Sequence, residues 1–229
     1  MTKAALATPL SRTRRFARRL RGDTSGLALI EFAFAAPLVL GMGMLGTETA
    51  YLVITHLQVS QIAMQVADNA SRVGEEDVLN ARKVYERDVA ATLIGAEKLG
   101  DNIDIFEQGR VIVSSLQQNA QGGQWIAWQR CRGAKVYNST YGVQGAGATG
   151  TSFPGMGTSG RYITASPGTA VMFVEVAYDF ESITPLDLFD GREIVYTAAF
   201  NVRDNRDLTQ LYTGGPVARC NTYSAARPT

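Results

Sequence analysis

Apolar and polar positions divide the chain into a long N-terminal helix and a strand-rich remainder. Residues 25–46, SGLALIEFAFAAPLVLGMGMLG, form a nearly unbroken apolar run. Beyond this run, apolar residues recur mostly three or four positions apart, which is the spacing of one helix face: Leu52, Val59, Ile62, Val66, Ala70 and Val73. Gly74 is a typical helix end. The pattern predicts one helix from Leu27 to Val73, about 70 Å long.

The remainder shows a second helical pattern followed by four strand patterns. Helical spacing continues over residues 75–99, where the following share one side: Val78, Ala81, Val84, Tyr85, Val89, Thr92 and Leu93. Four β-like runs follow at 103–117, 124–131, 171–182 and 192–203. In the last two, apolar and polar residues alternate, which favours half-buried antiparallel strands. We expect the second helix to cover the apolar face of a small sheet.

Charge is distributed unevenly, although the formal net charge is only +1. Seven of the 22 basic residues precede Leu27, and the residues from Leu27 onward carry 15 basic and 20 acidic groups, a net charge of −5. The seven are Lys3, Arg12, Arg14, Arg15, Arg18, Arg19 and Arg21. Such a cluster can bind nucleic acid. Because it stops where the apolar run starts, we expect no nucleic-acid partner and favour a role in orienting a membrane helix.

The apolar run is long enough to cross a membrane. As a helix, residues 27–45 would extend about 28 Å, close to the roughly 30 Å hydrocarbon core of a bilayer. The positive-inside rule then places the N-terminus in the cytoplasm and the remainder on the other side. A cleaved secretory signal is the alternative, with small residues near 33–37 and 46–50 as cleavage sites. Its apolar region would be shorter, however, and would not contain an acid such as Glu31.

Motifs for catalysis or cofactor binding are weak. The sequence has a single histidine, His56, so neither a cluster of histidine ligands nor a Ser-His pair can form. Residues 141–161 contain seven glycines, and Gly145, Gly147 and Gly150 have the spacing of a dinucleotide-binding turn. That turn needs a following helix, which TSFPGMG cannot begin. We therefore predict a mobile surface loop, no enzyme activity, no metal and no cofactor.

The N-terminal region resembles a family of bacterial pilus-assembly proteins. The stretch RLRGDTSGLALIEFAFAAPLVL has a basic leader ending in Gly26, four mostly apolar residues, Glu31 followed by Phe32, and Pro37 within the apolar run. It is similar to the start of TadE-like proteins of the tight-adherence (Flp-type) pilus and secretion system. LQVSQIAMQVADNASRV is similar to the family's Gln- and Ala-rich segment after the membrane. Phe32 departs from the tyrosine common in major pilins of this system.

The resemblance implies a minor pseudopilin. A prepilin peptidase would cut between Gly26 and Leu27, and Glu31 and Phe32 would serve assembly. The new ammonium group of Leu27 in one subunit could then neutralise Glu31 of another, since a charged pair in a low dielectric is tolerated where a lone charge is not. A protonated Glu31 without a pairing role remains open. The implied partners are the membrane, the peptidase, other pilin or pseudopilin subunits and the inner-membrane assembly platform.

Two cysteines, Cys131 and Cys220, are the only ones in the sequence. An even count in an exported chain favours a disulfide, although two free or separately buried thiols remain possible. The bond would close a loop of about 90 residues, which contributes roughly 4.5 kcal/mol in the chain-entropy model.

The sequence therefore predicts an α+β protein with a long N-terminal transmembrane helix, a second helix and a small antiparallel sheet. We assign residues 1–26 to a basic cytoplasmic leader, 27–45 to the transmembrane segment, 46–74 to a helical arm and 75–229 to a periplasmic domain. The arm either packs on this domain or contacts partners. The expected location is the bacterial inner membrane, crossed once. The alternative function is an uncleaved signal-anchored or a secreted periplasmic interaction module.

Overall fold

The computed structural model of the protein describes residues 9–23, 26–77 and 80–228. By internal contacts the chain divides into two units: one ends at Thr47, and the other comprises Glu48–Thr229. The fold is α+β, as predicted from the sequence. In chain order its elements are α1 (Pro9–Gly22), α2 (Leu27–Arg72), β1 (Glu75–Asp77), β2 (Asn80–Lys83), α3 (Glu86–Leu99), β3 (Gly109–Gln118), β4 (Gln124–Arg132), β5 (Met156–Thr158), β6 (Arg161–Ile163), β7 (Ala170–Asp179) and β8 (Glu193–Asn201).

Helix α2 confirms the long helix predicted from the apolar pattern, with Pro37 inside it. From Glu48 onward, residues at helical spacing are buried, including Leu52, Val59, Ile62, Val66 and Ala70 of the predicted stripe. These residues belong to the main hydrophobic core. The stripe on the predicted arm thus packs on the chain's own domain.

Four long strands form an antiparallel sheet in the order β4-β3-β7-β8. They confirm strands in the four β-like runs of the sequence. The first β-like run began at residue 103, but β3 begins only at Gly109. Asp101–Ile103 instead form a turn of 3-10 helix. One face of the sheet contributes Val111, Val174 and Val176 to the core that it shares with α2 and α3.

The second predicted helix begins later than expected. Helix α3 spans only Glu86–Leu99, while β1 and β2 pair as a short hairpin over residues predicted to be helical. Val78 lies outside the described residues. The backbone of Arg82 explains the difference, since its N–H donates to the Asn205 carbonyl (2.9 Å) and its carbonyl accepts from the Asp207 N–H (2.9 Å). Pairing with a distant segment thus overrides the helical spacing of this polar stretch.

The glycine-rich loop lies at the surface for most of its length, as expected, but part of it packs against the sheet. Met156 is fully buried, and Phe153 packs on a second hydrophobic cluster that contains Leu116, Ile126 and Phe173. As a result β3 and β7 are buried almost throughout their length. The prediction of a half-buried strand, made for residues 171–182 and 192–203, is therefore wrong for β7, whereas β8 is partly exposed along its length. β5 and β6 form a small hairpin within and just beyond this loop.

Candidate functional site

Gly26 lies immediately before the first residue of α2. Its carbonyl accepts the first helical hydrogen bond, from the Ile30 N–H at 3.1 Å. A Cβ atom built on Gly26 would meet nothing within 4 Å, and Gly26 is not among the glycines with positive φ. Local geometry therefore does not require glycine at this position.

Leu27, Glu31 and Phe32 lie in the first two turns of α2. Leu27 and Glu31 are four residues apart, so they share a helix side and are separated by about 6 Å along the axis. All three side chains are exposed. Glu31 is the only charged residue between Asp23 and Glu48. The structure thus places the predicted processing and assembly residues together on one exposed segment.

Among the described residues, α2 is the one helix that is long and apolar enough to cross a membrane. Its most apolar 18-residue window has a mean hydropathy of 1.9, and none of that window is buried within the protein. Large apolar side chains are exposed throughout this part: Leu29, Ile30, Phe32, Phe34, Leu38, Val39, Leu40 and Met42. A single helix near the N-terminus could therefore cross a membrane.

Cys131 and Cys220 form a disulfide, 89 residues apart in sequence. The bond fastens the C-terminal segment alongside β4, where the Cys131 N–H donates to the Ala218 carbonyl at 2.9 Å. Arg110 holds the same segment, since its buried guanidinium donates to the carbonyls of Cys220 (2.6 Å) and Thr222 (3.0 Å). The guanidinium also lies over the Tyr223 ring, 4.2 Å from its centre. Burial lowers the pKa of Arg110.

An open cavity of about 500 Å³ lies beside this disulfide and is lined in part by Arg110, Gln129, Arg130 and Tyr223. Two of its three arginines, Arg110 and Arg130, make contacts within the fold. Arg130 forms an ion pair with the buried carboxylate of Glu86, to which its Nε donates at 2.8 Å. Arg110 donates to backbone carbonyls, as described above. These contacts hold Arg110 and Arg130 in the fold.

The remaining sequence candidates have structural contacts. The His56 ring lies edge-on to Tyr196, and its Nδ1 is 3.3 Å from the Tyr196 hydroxyl. Within residues 9–23, 26–77 and 80–228, no group of three or more metal-binding side chains comes together. Gly145, Gly147 and Gly150 lead into coil and β5 instead of a helix.

Glu48 is a residue that the sequence interpretation missed. Its carboxylate is fully buried and accepts hydrogen bonds from the Ser182 hydroxyl and from the Thr184 N–H, the latter at 3.1 Å. Hydrogen bonds lower the pKa of Glu48. The largest effect comes from the Ser182 hydroxyl and the next largest from Thr184. Position 48 is in phase with the buried stripe that continues through Leu52 and Val59, and this phase is the signal that could have identified it.

Comparison with known proteins gives no relative. No family model, no curated protein and no solved structure matches this chain.

Proposed function

We propose that this protein is a membrane-anchored, minor pseudopilin-like component of a tight-adherence (Flp-type) pilus assembly and secretion system. A prepilin peptidase removes the basic leader between Gly26 and Leu27 on the cytoplasmic side of the inner membrane. The remaining chain crosses the membrane once through the first part of α2, and Glu48–Thr229 lies in the periplasm. The chain then associates with other pilin or pseudopilin subunits and with the assembly platform.

The observation that carries this proposal is the isolated carboxylate of Glu31 near the start of an exposed apolar helix. On insertion scales, a charge in the hydrocarbon core costs about 2.5 kcal/mol or more. Cleavage after Gly26 creates an ammonium group one helical turn before Glu31. Paired with Glu31 of a neighbouring subunit, this ammonium group would offset the cost and set the register between subunits.

Glycine at position 26 supports the same proposal. Because the fold accepts a side chain there, a requirement for glycine points to an enzyme that must approach the backbone closely. We expect Gly26→Leu to leave a precursor that is 26 residues longer than the mature chain. Gly22 is the matched control, since a Cβ atom at that position also meets nothing within 4 Å. Gly22→Leu should be processed normally, as measured by intact mass and N-terminal sequencing of protein from membranes.

The mature N-terminus also decides between this proposal and its alternatives. A chain that still begins at Met1 would indicate an uncleaved anchored interaction module. A chain that begins within residues 37–51 would indicate a secreted module released by a signal peptidase. Either result would contradict processing at Gly26.

Glu31 is tested by substitutions that separate its charge from its shape. Glu31→Gln should insert and be processed, but co-purification of partner subunits after membrane solubilisation should fall at least about tenfold, equivalent to roughly 1.4 kcal/mol. Glu31→Asp retains the charge, so more of the partner subunits should co-purify with it than with Glu31→Gln. Normal assembly of a processed Glu31→Gln chain would leave the processing proposal intact and refute the electrostatic role.

A further inference from the structure

The connection between β7 and β8, residues 180–192, exposes a short apolar tip. Three apolar side chains within six consecutive residues are exposed: Ile183 (54%), Leu186 (40%) and Leu188 (54%). The base of the connection is ordered by backbone hydrogen bonds, from the Phe180 N–H to the Arg192 carbonyl (2.9 Å) and from the Gly191 N–H to the Phe180 carbonyl (2.8 Å). Clustered apolar exposure on an ordered loop is typical of an interaction surface.

Glu48 fixes the position of this tip along α2. Ser182 and Thr184, on either side of Ile183, both donate to the Glu48 carboxylate. The Tyr51 ring also contacts Phe180, with ring centres 5.5 Å apart. Glu48 is only three residues past Leu45, the last residue of the predicted span, which corresponds to about 4.5 Å of helix rise. The tip is therefore held beside Glu48, the first residue of the Glu48–Thr229 unit.

Charges near the tip indicate the kind of surface that it meets. Glu181, Asp187 and Asp190 are exposed beside the three aliphatic residues, and Arg192 is the one basic residue in the connection. Acidic flanks do not favour a strongly anionic surface. Apolar side chains with polar flanks at the end of a membrane span fit the boundary between acyl chains and headgroups.

We propose that Ile183, Leu186 and Leu188 insert into the lipid boundary at the C-terminal end of the membrane span. The loop then acts as a second, shallow membrane contact that fixes the domain against the bilayer. This inference rests on the membrane anchor in the proposed function, and not on processing or pilus assembly.

Site-directed spin labelling tests the insertion. The two native cysteines form a disulfide, so one introduced cysteine is the sole free thiol in the unreduced chain. Leu186→Cys and Leu188→Cys would each be labelled with a nitroxide in the full chain, purified and reconstituted in phosphatidylcholine vesicles. The measurement compares collisions of the label with oxygen, which concentrates in lipid, and with a water-soluble nickel chelate.

The matched control is Val143→Cys in the glycine-rich loop, where the native side chain is 65% exposed. Gln144, the next residue, accepts from the N–H of Gln129 at mid-strand in β4, so this position is far from the β7–β8 connection. We expect the oxygen-to-nickel collision ratio at positions 186 and 188 to be at least threefold higher than at 143. Equal ratios would overturn the proposal. Protection from both reagents would indicate a protein contact and would also overturn it.

A label at Val39→Cys separates the two levels of inference. Val39 lies in the apolar part of α2 and is 66% exposed. A lipid-buried label at 39 with water-accessible labels at 186 and 188 would refute only the loop insertion. A water-accessible label at 39 would refute the anchor, and the loop insertion with it.

Discussion

Glu175 is a buried carboxylate on the face of β7 opposite the one that packs against α2 and α3. Its Oε1 accepts from the Ser139 hydroxyl at 2.5 Å and its Oε2 accepts from the Thr140 N–H at 3.4 Å. Desolvation nevertheless raises the pKa of Glu175. The folded state thus binds the proton of this carboxyl group more tightly than the unfolded chain does. The stability that this proton contributes is present below the unfolded pKa and is lost as the pH rises through the folded pKa.

We therefore predict that Glu175→Gln changes the pH dependence of folding. The variant should gain stability relative to the parent protein as the pH rises from about 4 to 7, since glutamine has no charge to desolvate. Thermal unfolding at both pH values measures this difference. Glu107→Gln, at an exposed position, controls for the loss of one negative charge. An unchanged difference between parent and variant across the pH range would contradict the prediction.

Arg206 is a buried, positively charged side chain at the C-terminal end of α2. Its guanidinium donates to the carbonyls of Ala70 (3.2 Å), Ser71 (3.1 Å) and Val73 (2.6 Å). These are carbonyls that a helix end leaves without intrahelical partners. Burial lowers the pKa of Arg206 to about 10, so the side chain remains charged at neutral pH.

Replacing Arg206 should weaken the folded domain substantially. We predict that Arg206→Met lowers the free energy of unfolding by about 2 to 3 kcal/mol, because buried carbonyls lose a charged donor. Arg206→Lys should cost less, since it keeps the charge with fewer donors. Urea denaturation measures both variants. A loss below about 0.5 kcal/mol for the methionine variant would show that this cap is dispensable.

Among the elements, the glycine-rich loop has an unexpected role as a cover for the second face of the sheet. Its backbone approaches β4 closely: the Gly145 N–H donates to the Ile126 carbonyl at 2.8 Å, and the Ile126 N–H donates to the Ala146 carbonyl at 2.9 Å. Gly147, with φ +76, has no room for a side chain, since an added Cβ would lie 2.2 Å from the Gln124 carbonyl oxygen. Glycine here permits close packing on the edge of a strand.

This cover should contribute measurably to stability. We predict that Met156→Ala costs about 2 to 4 kcal/mol, because it leaves a cavity beneath the loop. Val143→Ala, at an exposed position in the same loop, should change stability by less than about 0.5 kcal/mol. Similar small effects for both variants, measured by chemical denaturation, would show that the loop does not form a packed layer.

Elements with strong local patterns were predictable, and those defined by distant partners were not. Helix α2, β7 and β8 follow from apolar periodicity, and β3 and β4 from short β-like runs. The β1–β2 hairpin depends on the backbone of Arg82 pairing with residues 205–207, which no local pattern reveals. Alternation over residues 171–182 predicted a solvated face that includes Glu175, whereas the structure buries Glu175 together with Ser114 and Gln129.

The residues of the candidate site also divide into those that a local pattern predicts and those that depend on distant partners. Gly26 and Glu31 are candidates because their spacing after the basic leader forms a motif within the sequence. The pairing of Cys131 with Cys220 was the only disulfide that two cysteines allow. Glu48 escaped notice because an acid just after an apolar run resembles an ordinary surface residue. Its partners in the β7–β8 connection are more than 130 residues away in the chain.

At the scale of the whole molecule, the chain divides between residues 47 and 48 into an exposed apolar helix segment and a domain with its own hydrophobic core. In the Glu48–Thr229 unit, the hydrophobic core and the disulfide are complete. The apolar part of α2 before it has no buried residue in its most apolar window. The domain should therefore not depend on the membrane segment for folding.

We predict that a fragment comprising residues 48–229 folds in an oxidising environment without detergent. Its thermal unfolding should be cooperative, and mass spectrometry of the alkylated, unreduced fragment should detect no free thiol. Cys131→Ser with Cys220→Ser should lower its stability by up to about 4.5 kcal/mol. A fragment that aggregates or unfolds gradually would show that the preceding helix is needed for folding.

The attachment of the C-terminal segment to β4 has a consequence for the time before folding is complete. β4 is an edge strand, and exposed edges can pair with other chains and start aggregation. The hydrogen bond from Cys131 to Ala218 and the bridge between Gly133 and Ser224 protect this edge. Both partners are synthesised about 90 residues after β4, so the C-terminal part of the strand is made long before the segment that protects it. In a newly made or reduced chain, the C-terminal part of β4 is therefore an edge open to self-association, and the Cys131–Cys220 disulfide fastens the segment that covers it.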